Sequence, residues 1–335
     1  MTSCVKYGSV KNFKGEKIVL IPTYDDVKSA QVRISDYVFR TPVFQYLRLS
    51  EALQTDIWIK HENYQPIGSF KLRGSINLMS QMSSSDLNMG MITASSGNHG
   101  QALAYASKIF GARCVICVPN GANESKVSAI RAMGAEVKFV GEYYDQTAEF
   151  ARCIAGSEGL YYVDAIQEPA MIAGAGTYTL EILEDIPDAD VIIVPIGGGS
   201  GVCGACIAGK GIKKDLEIIA VQSSYAPAAF RSWKNKKILE APMETIAEGL
   251  ATSKGYQLPQ RIMQDLLDDF VLVSDEEMSK AVSMYLDMSH TLAEHSGAAS
   301  LAAAVKIKER LHGKKVVLVL SGGNISIEQL KKIME

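Results

Sequence analysis

Asp190-Val191-Ile192-Ile193-Val194-Pro195-Ile196 runs directly into Gly197-Gly198-Gly199-Ser200-Gly201. The apolar run does not alternate, as expected of a strand buried on both faces of a parallel sheet. The glycines permit a tight turn, and the residues after them read as a helix. Strand, glycine turn and helix form one βα unit, whose helix N-terminus presents backbone N–H groups suited to an anion. The same pattern recurs outward along the chain. Residues 56–61, 89–94, 113–118, 136–140, 216–221 and 316–320 read as strands, and residues 70–82, 99–110 and a segment opening at Ser125 read as helices. This alternation implies an α/β fold of two doubly wound open sheets with helices on both faces. The expected layout is an N-terminal extension over 1–20, a large domain from 21–84 and 169–335, and a nested small domain over 85–168.

Composition narrows the function classes. The chain has 335 residues, a net charge of −3, 47% hydrophobic residues and 28 glycines. That balance gives no support for a nucleic-acid or membrane-surface partner. No apolar run approaches the roughly 20 residues of a membrane span, and the first residues lack a signal-peptide core. Six cysteines are present, Cys114 and Cys117 in a CxxC spacing. They fall on one strand, where residues three apart face opposite ways and cannot share a metal. No metal site is expected, and reduced thiols suggest the cytoplasm.

Four segments carry chemistry. In Gly68-Ser69-Phe70-Lys71, Ser69 reads as a helix N-cap and Lys71 as a first-turn residue. The helix dipole disfavours a cation there and would lower the amine pKa, as a Schiff-base lysine needs. Ser95-Ser96-Gly97-Asn98-His99-Gly100-Gln101 joins a strand to a helix at the end of the sheet where α/β proteins bind ligands. Its amides suit a carboxylate. The loop 197–201 suits a phosphate. It also contains GxGxxG, Gly199 to Gly204, but the next strand ends at Gln222 rather than at an acidic residue. A nicotinamide- or nucleotide-binding protein therefore lacks its ribose contact. Finally, Leu320-Ser321-Gly322-Gly323-Asn324 places Ser321 at a strand's carboxyl end.

Together and in this order, these segments resemble the fold-type II pyridoxal-phosphate enzymes, most closely the serine/threonine dehydratase and serine racemase family. The resemblance runs from about Ile21 to the C-terminus and includes Gln167-Glu168-Pro169-Ala170-Met171-Ile172-Ala173-Gly174-Ala175-Gly176-Thr177. It implies pyridoxal 5'-phosphate as cofactor, with Lys71 as Schiff-base lysine and base, and Phe70 beside it. It places Asn98 on the ring oxygen, Gly197, Gly198, Gly199, Ser200 and Gly201 on the phosphate, and Ser321 on the ring nitrogen. Glu294 lies near the ring. Ser95, Ser96, Gly97, Asn98 and His99 hold the substrate carboxylate, and Ser96 is the acid or base on the opposite face. A hydroxyl partner leaves the ring nitrogen largely unprotonated, which favours loss of a β-hydroxyl over transamination.

The expected activity is an ammonia-lyase acting on L-threonine or L-serine. The alternatives are a serine or aspartate racemase and a 3-hydroxyaspartate dehydratase using the same site. A homodimer fits the resemblance. The sequence departs from the family in three places. Ser200 stands where a fourth glycine is common, and no carboxylate follows Gln222 where some relatives bind a divalent cation. His295 follows Glu294, either lining the substrate pocket or only starting a helix. The chain also ends soon after Asn324, so no C-terminal regulatory domain is expected.

Overall fold

A computed structural model describes residues 20–335, with the backbone of a short antiparallel ladder, Val10–Lys11 against Lys17–Ile18. The expected N-terminal extension, and Cys4 with it, otherwise lies outside the described residues. Ten further strands build two sheets. They are β1 (Val43–Gln45), β2 (Asp56–His61), β3 (Met91–Ala94), β4 (Cys114–Val118), β5 (Glu136–Phe139), β6 (Tyr161–Tyr162), β7 (Val191–Pro195), β8 (Glu217–Ser223), β9 (Asp269–Val273) and β10 (Lys315–Leu320). The larger sheet has the order β9-β8-β7-β10-β2-β1 and is parallel except for the edge strand β1. The smaller has the order β5-β4-β3-β6 and is wholly parallel.

The unbroken apolar runs are explained by burial on both faces. In β7, Ile192 and Val194 enter one core while Val191 and Ile193 enter the other. In β4, Cys114 and Cys117 separate in the same way into the cores on either side of the small sheet. The CxxC is therefore a product of strand periodicity. The strand expected over 89–94 begins later, at Met91, because Ser83 and Asp86 form a capping box that starts a helix over Ser84–Met89. The helix expected over 70–82 ends at Met79.

Three helices pack unusually closely on one face of the large sheet: α1 (Lys71–Met79), α2 (Pro169–Asp185) and α3 (Ser200–Ile212). A Cβ on Gly204 of α3 would lie 2.4 Å from the Gly176 nitrogen, and one on Gly174 would lie 2.5 Å from the Arg73 carbonyl. Only glycine permits backbones to approach so closely. The Ala173-Gly174-Ala175-Gly176 stretch thus sets the spacing between the helix that bears Lys71 and the helix that follows the glycine turn.

A buried ionic network fastens the same region. The Arg73 guanidinium reaches Glu62 through Nε and Nη2, each at 2.8 Å, and Glu181 through Nη1 at 2.6 Å and Nη2 at 2.8 Å. Lys60 Nζ donates to Glu181 at 2.5 Å and to the Thr41 carbonyl at 2.7 Å, and the Thr41 hydroxyl donates to Glu62 at 2.6 Å. All four charged side chains are buried. Burial opposes each charge, yet the two carboxylates hold Arg73 firmly protonated and Arg73 keeps Glu62 below its usual range. Removing one member leaves its partners buried and unpaired, which costs about 3–5 kcal/mol. Arg73→Met should therefore lower the free energy of unfolding by about that amount in urea titrations. A loss below about 1 kcal/mol would show the network to be dispensable.

Candidate active site

Lys71 opens α1, but Ser69 does not cap it. The N-cap position belongs to Phe70, whose backbone is already helical and whose N–H donates to the Ser321 carbonyl. Ser69 instead pairs in extended conformation with Gly322, and its hydroxyl is buried without a partner. Strand-end pairing thus takes precedence over the capping preference expected from the sequence. Lys71 Nζ lies 3.2 Å from the Ser200 hydroxyl and 5.0 Å from the centre of the Phe70 ring. Its pKa is lowered to about 8 by burial, in the same direction as the helix field expected from the sequence.

Ser200 is the first residue of α3. Gly199, with φ +117°, is its N-cap and supplies no side chain, so the first amides of a 13-residue helix have no capping group. The turn is enclosed on several sides. A Cβ on Gly197 would lie 2.2 Å from the Gly249 carbonyl, one on Gly198 2.3 Å from the Ile166 side chain, and one on Gly201 3.2 Å from the Phe70 ring. Tyr178 packs edge-on against Phe70 and donates to the Gly201 carbonyl at 2.7 Å. Free amides, a hydroxyl and a lysine converge here, a donor set that fits a phosphate group bearing a reactive aldehyde nearby.

The second loop lies between β3 and the helix Asn98–Phe110. Gly97 is the N-cap, again without a side-chain bond. Ser95, Ser96, Gly97 and Asn98 are half-buried, while His99 is buried. The state of His99 follows from counting protons. The Thr93 hydroxyl donates its one proton to the Val163 carbonyl at 2.9 Å, so at 3.1 Å it accepts from His99 Nε2. His99 Nδ1 then keeps its lone pair, buried and unpartnered. Burial, reinforced by the Lys71 charge, pushes the His99 pKa down to about 3, so the ring is neutral.

Asn98 joins this loop to the C-terminal segments. Its Nδ2 donates to Glu294 Oε1 at 2.7 Å, and its Oδ1 accepts from Asn324 Nδ2 at 2.7 Å. Ser296 donates to the same Glu294 oxygen at 2.9 Å. Burial raises the Glu294 pKa, and these two donors oppose the shift. Asn324 also donates to the Ile67 carbonyl at 2.8 Å, tying the segment after β10 to the loop before Lys71. His295 begins the helix His295–Lys306. It is buried, its Nε2 has no partner, and burial lowers its pKa.

Phe70 and Lys71 thus meet the turn 197–201, Asn98 meets Glu294, and the segment 321–324 touches both groups through Ser321, Gly322 and Asn324. Thr93, Tyr178 and the bonds of Asn324 were not legible in the sequence, since each acts through a partner remote along the chain. The region after β8 also holds a surprise. Asp275, distant in sequence, accepts from Ser223 Oγ at 3.3 Å, from Ile246 N at 2.9 Å and from the Thr245 hydroxyl. This carboxylate is fully engaged by protein donors. No cluster of three or more metal-ligating side chains occurs among the described residues.

Comparison with known proteins agrees with this geometry. Residues 34–322 match the family described as pyridoxal-phosphate dependent enzyme. The chain is 36% identical over 315 residues to L-threonine ammonia-lyase of Thermotoga maritima, covering 93% of this chain and 78% of that one. It is 32% identical over 312 residues to L-threo-3-hydroxyaspartate ammonia-lyase of Saccharomyces cerevisiae, covering 93% and 96%. The structure of maize serine racemase superposes with a TM-score of 0.89 at 31% identity, covering 94% of this chain and 97% of that one. These matches replace the nucleotide-binding alternative. A match to the family over residues 34–322 makes this chain a member of the pyridoxal-phosphate dependent enzymes.

Proposed function

We propose that this protein is an ammonia-lyase that converts L-threonine or L-serine to a 2-oxo acid and ammonia. The observation that carries the reading is the half-buried Lys71, its pKa lowered to about 8 by desolvation, 3.2 Å from Ser200 at an uncapped helix N-terminus. When bound, pyridoxal phosphate supplies an electron sink that makes the substrate Cα proton acidic. The protein's own groups do the rest. The turn 197–201 and the first amides of α3 hold the phosphate, and Asn98, positioned by Glu294 and Asn324, contacts the ring oxygen. Ser321 offers a neutral hydroxyl to the ring nitrogen. The 95–99 loop takes the substrate carboxylate through the amides of Ser96, Asn98 and His99, since the Ser95 N–H already donates to the Cys117 carbonyl and the Gly97 N–H to Ser95 Oγ. Lys71 removes and holds the Cα proton, so that the β-hydroxyl departs.

One observation favours a second activity at the same site. The half-buried Ser96 hydroxyl has no hydrogen-bond partner among the described residues. It is therefore free to act on the face opposite Lys71, which supports racemisation of serine or aspartate as an alternative outcome.

We further propose that residues 85–168, which hold the smaller sheet, form a small domain. The Lys126–Glu248 ion pair joins it to the rest of the chain at 2.5 Å. The assembly proposed is a homodimer. Among the described residues, edge strand β1 is paired on one side only, and Phe44 and Tyr64, both packed on His61, are 48% and 45% exposed beside Leu47 at 69%. Exposed aromatics on an unpaired edge favour burial in a partner. No helix among the described residues is long and apolar enough to cross a membrane. The proposed location is the cytoplasm, supported by the free thiols of the five described cysteines.

Purified holoenzyme should release 2-oxo acid from L-threonine or L-serine, and silence on both would overturn the reading. Chiral analysis of serine in the same reactions separates racemisation, which Ser96→Ala should abolish while elimination persists. Only the neutral Lys71 amine is nucleophilic. Reconstitution of apoprotein with pyridoxal phosphate should therefore accelerate as pH rises through about 8, and the visible absorbance should vanish in Lys71→Ala. In sedimentation velocity the wild type should run as a dimer and Phe44→Lys as a monomer.

A further inference from the structure

Ser200 is the only residue of the turn 197–201 that brings a side chain. It stands where a fourth glycine is common in the family, and it is 3% exposed. Its Oγ lies 3.2 Å from Lys71 Nζ and is the one hydrogen-bond partner of that amine among the described residues. The backbone amides of the turn and of α3 suffice for a phosphate, which leaves this hydroxyl for another task.

The protons around Lys71 are unevenly committed. As an ammonium the lysine can only donate, so Ser200 Oγ accepts and its own proton points away from the amine. No protein acceptor takes that proton among the described residues. The neighbouring groups are already engaged. Tyr178 gives its proton to the Gly201 carbonyl at 2.7 Å, and His99 carries its single ring proton on Nε2, bonded to Thr93 at 3.1 Å. Glu294 Oε1 accepts from Asn98 and Ser296. Lys71 itself sits where desolvation disfavours the ammonium. A base in that setting must pass its proton on. Among the described residues Ser200 is the one contact that can take it while releasing another.

We propose that Ser200 is a proton relay, carrying to the departing β-hydroxyl the proton that Lys71 removes from Cα. This rests on the ammonia-lyase reading and supplies the acid which that reading leaves unassigned. The Cα–H bond breaks, its proton forms an N–H bond on Lys71, and its electron pair goes to the new Cα=Cβ bond. The Cβ–O bond breaks with its own pair on oxygen. The Ser200 proton passes to that oxygen, which leaves as water, and Lys71 returns a proton to Ser200 Oγ. Lysine and serine end neutral, as they began, and nothing is oxidised or reduced. The β-oxygen is two bonds from the carbon that Lys71 deprotonates, so a hydroxyl 3.2 Å from the amine lies within its reach.

The test compares leaving groups. Chloride departs without a proton and hydroxide needs one, so β-chloro-L-alanine bypasses the relay while L-serine and L-threonine use it. With cofactor loading confirmed by absorbance, Ser200→Ala and Ser200→Gly should each lower the ratio of kcat for the hydroxy substrate to kcat for β-chloro-L-alanine at least ~10-fold relative to wild type. Ser200→Thr, which keeps the hydroxyl, should recover part of that ratio. A second readout is independent of turnover. In Ser200→Ala the Lys71 ammonium loses its acceptor, so the pH midpoint for uptake of pyridoxal phosphate by the apoprotein should move below about 8. An unchanged ratio, equal losses on both leaving groups or an unmoved midpoint would overturn the relay while leaving the ammonia-lyase reading intact. Release of 2-oxo acid from neither hydroxy substrate by wild type would overturn both.

Discussion

The buried guanidinium of Arg73 is the constraint on which the site depends. It stands two residues after Lys71 and is held by Glu62 from one segment and Glu181 from another, with Lys60 completing the balance of two positive and two negative groups. In a low-dielectric interior such a group is tolerable only when every charge is matched. The network therefore does more than add stability. It admits one placement of α1 relative to β2 and α2, and that placement aims Lys71 at the glycine turn. The glycines of α2 make the placement tight, since any side chain at Gly174 or Gly176 would push α1 or α3 away.

Around the lysine, burial sets the charge states. It lowers the pKa values of Lys71 and His99 and raises that of Glu294. All three shifts disfavour the charged form, as desolvation must. The donors that remain free are backbone amides and hydroxyls at helix starts. A site of this kind binds anions through dipoles and keeps its lysine competent as a nucleophile near neutral pH. Water-excluding closure between the two sheets would strengthen both effects.

Much of this was legible along the chain because it depends on local pattern. The unbroken apolar strands, the glycine turn after Ile196 and the polar loop after Ala94 were found where they occur. Local rules misplaced what tertiary pairing controls. Ser69 has the composition of an N-cap but lies in an extended bridge to Gly322. Met89 has the composition of a strand but ends a helix begun by Ser83. No carboxylate follows Gln222 directly along the chain, yet Asp275 reaches Ser223 from 52 residues away in sequence.

The sequence by itself determined the class of fold and the chemistry, because strand burial, helix starts and a lysine between a glycine and a helix are encoded within a few residues. Only the tertiary structure decided which groups meet. The tautomer of His99 depends on Val163, the orientation of Asn98 on residues 294 and 324, and the lowered pKa of Lys71 on its burial. Each is a long-range contact or a desolvation, and neither quantity exists until the chain has closed on itself.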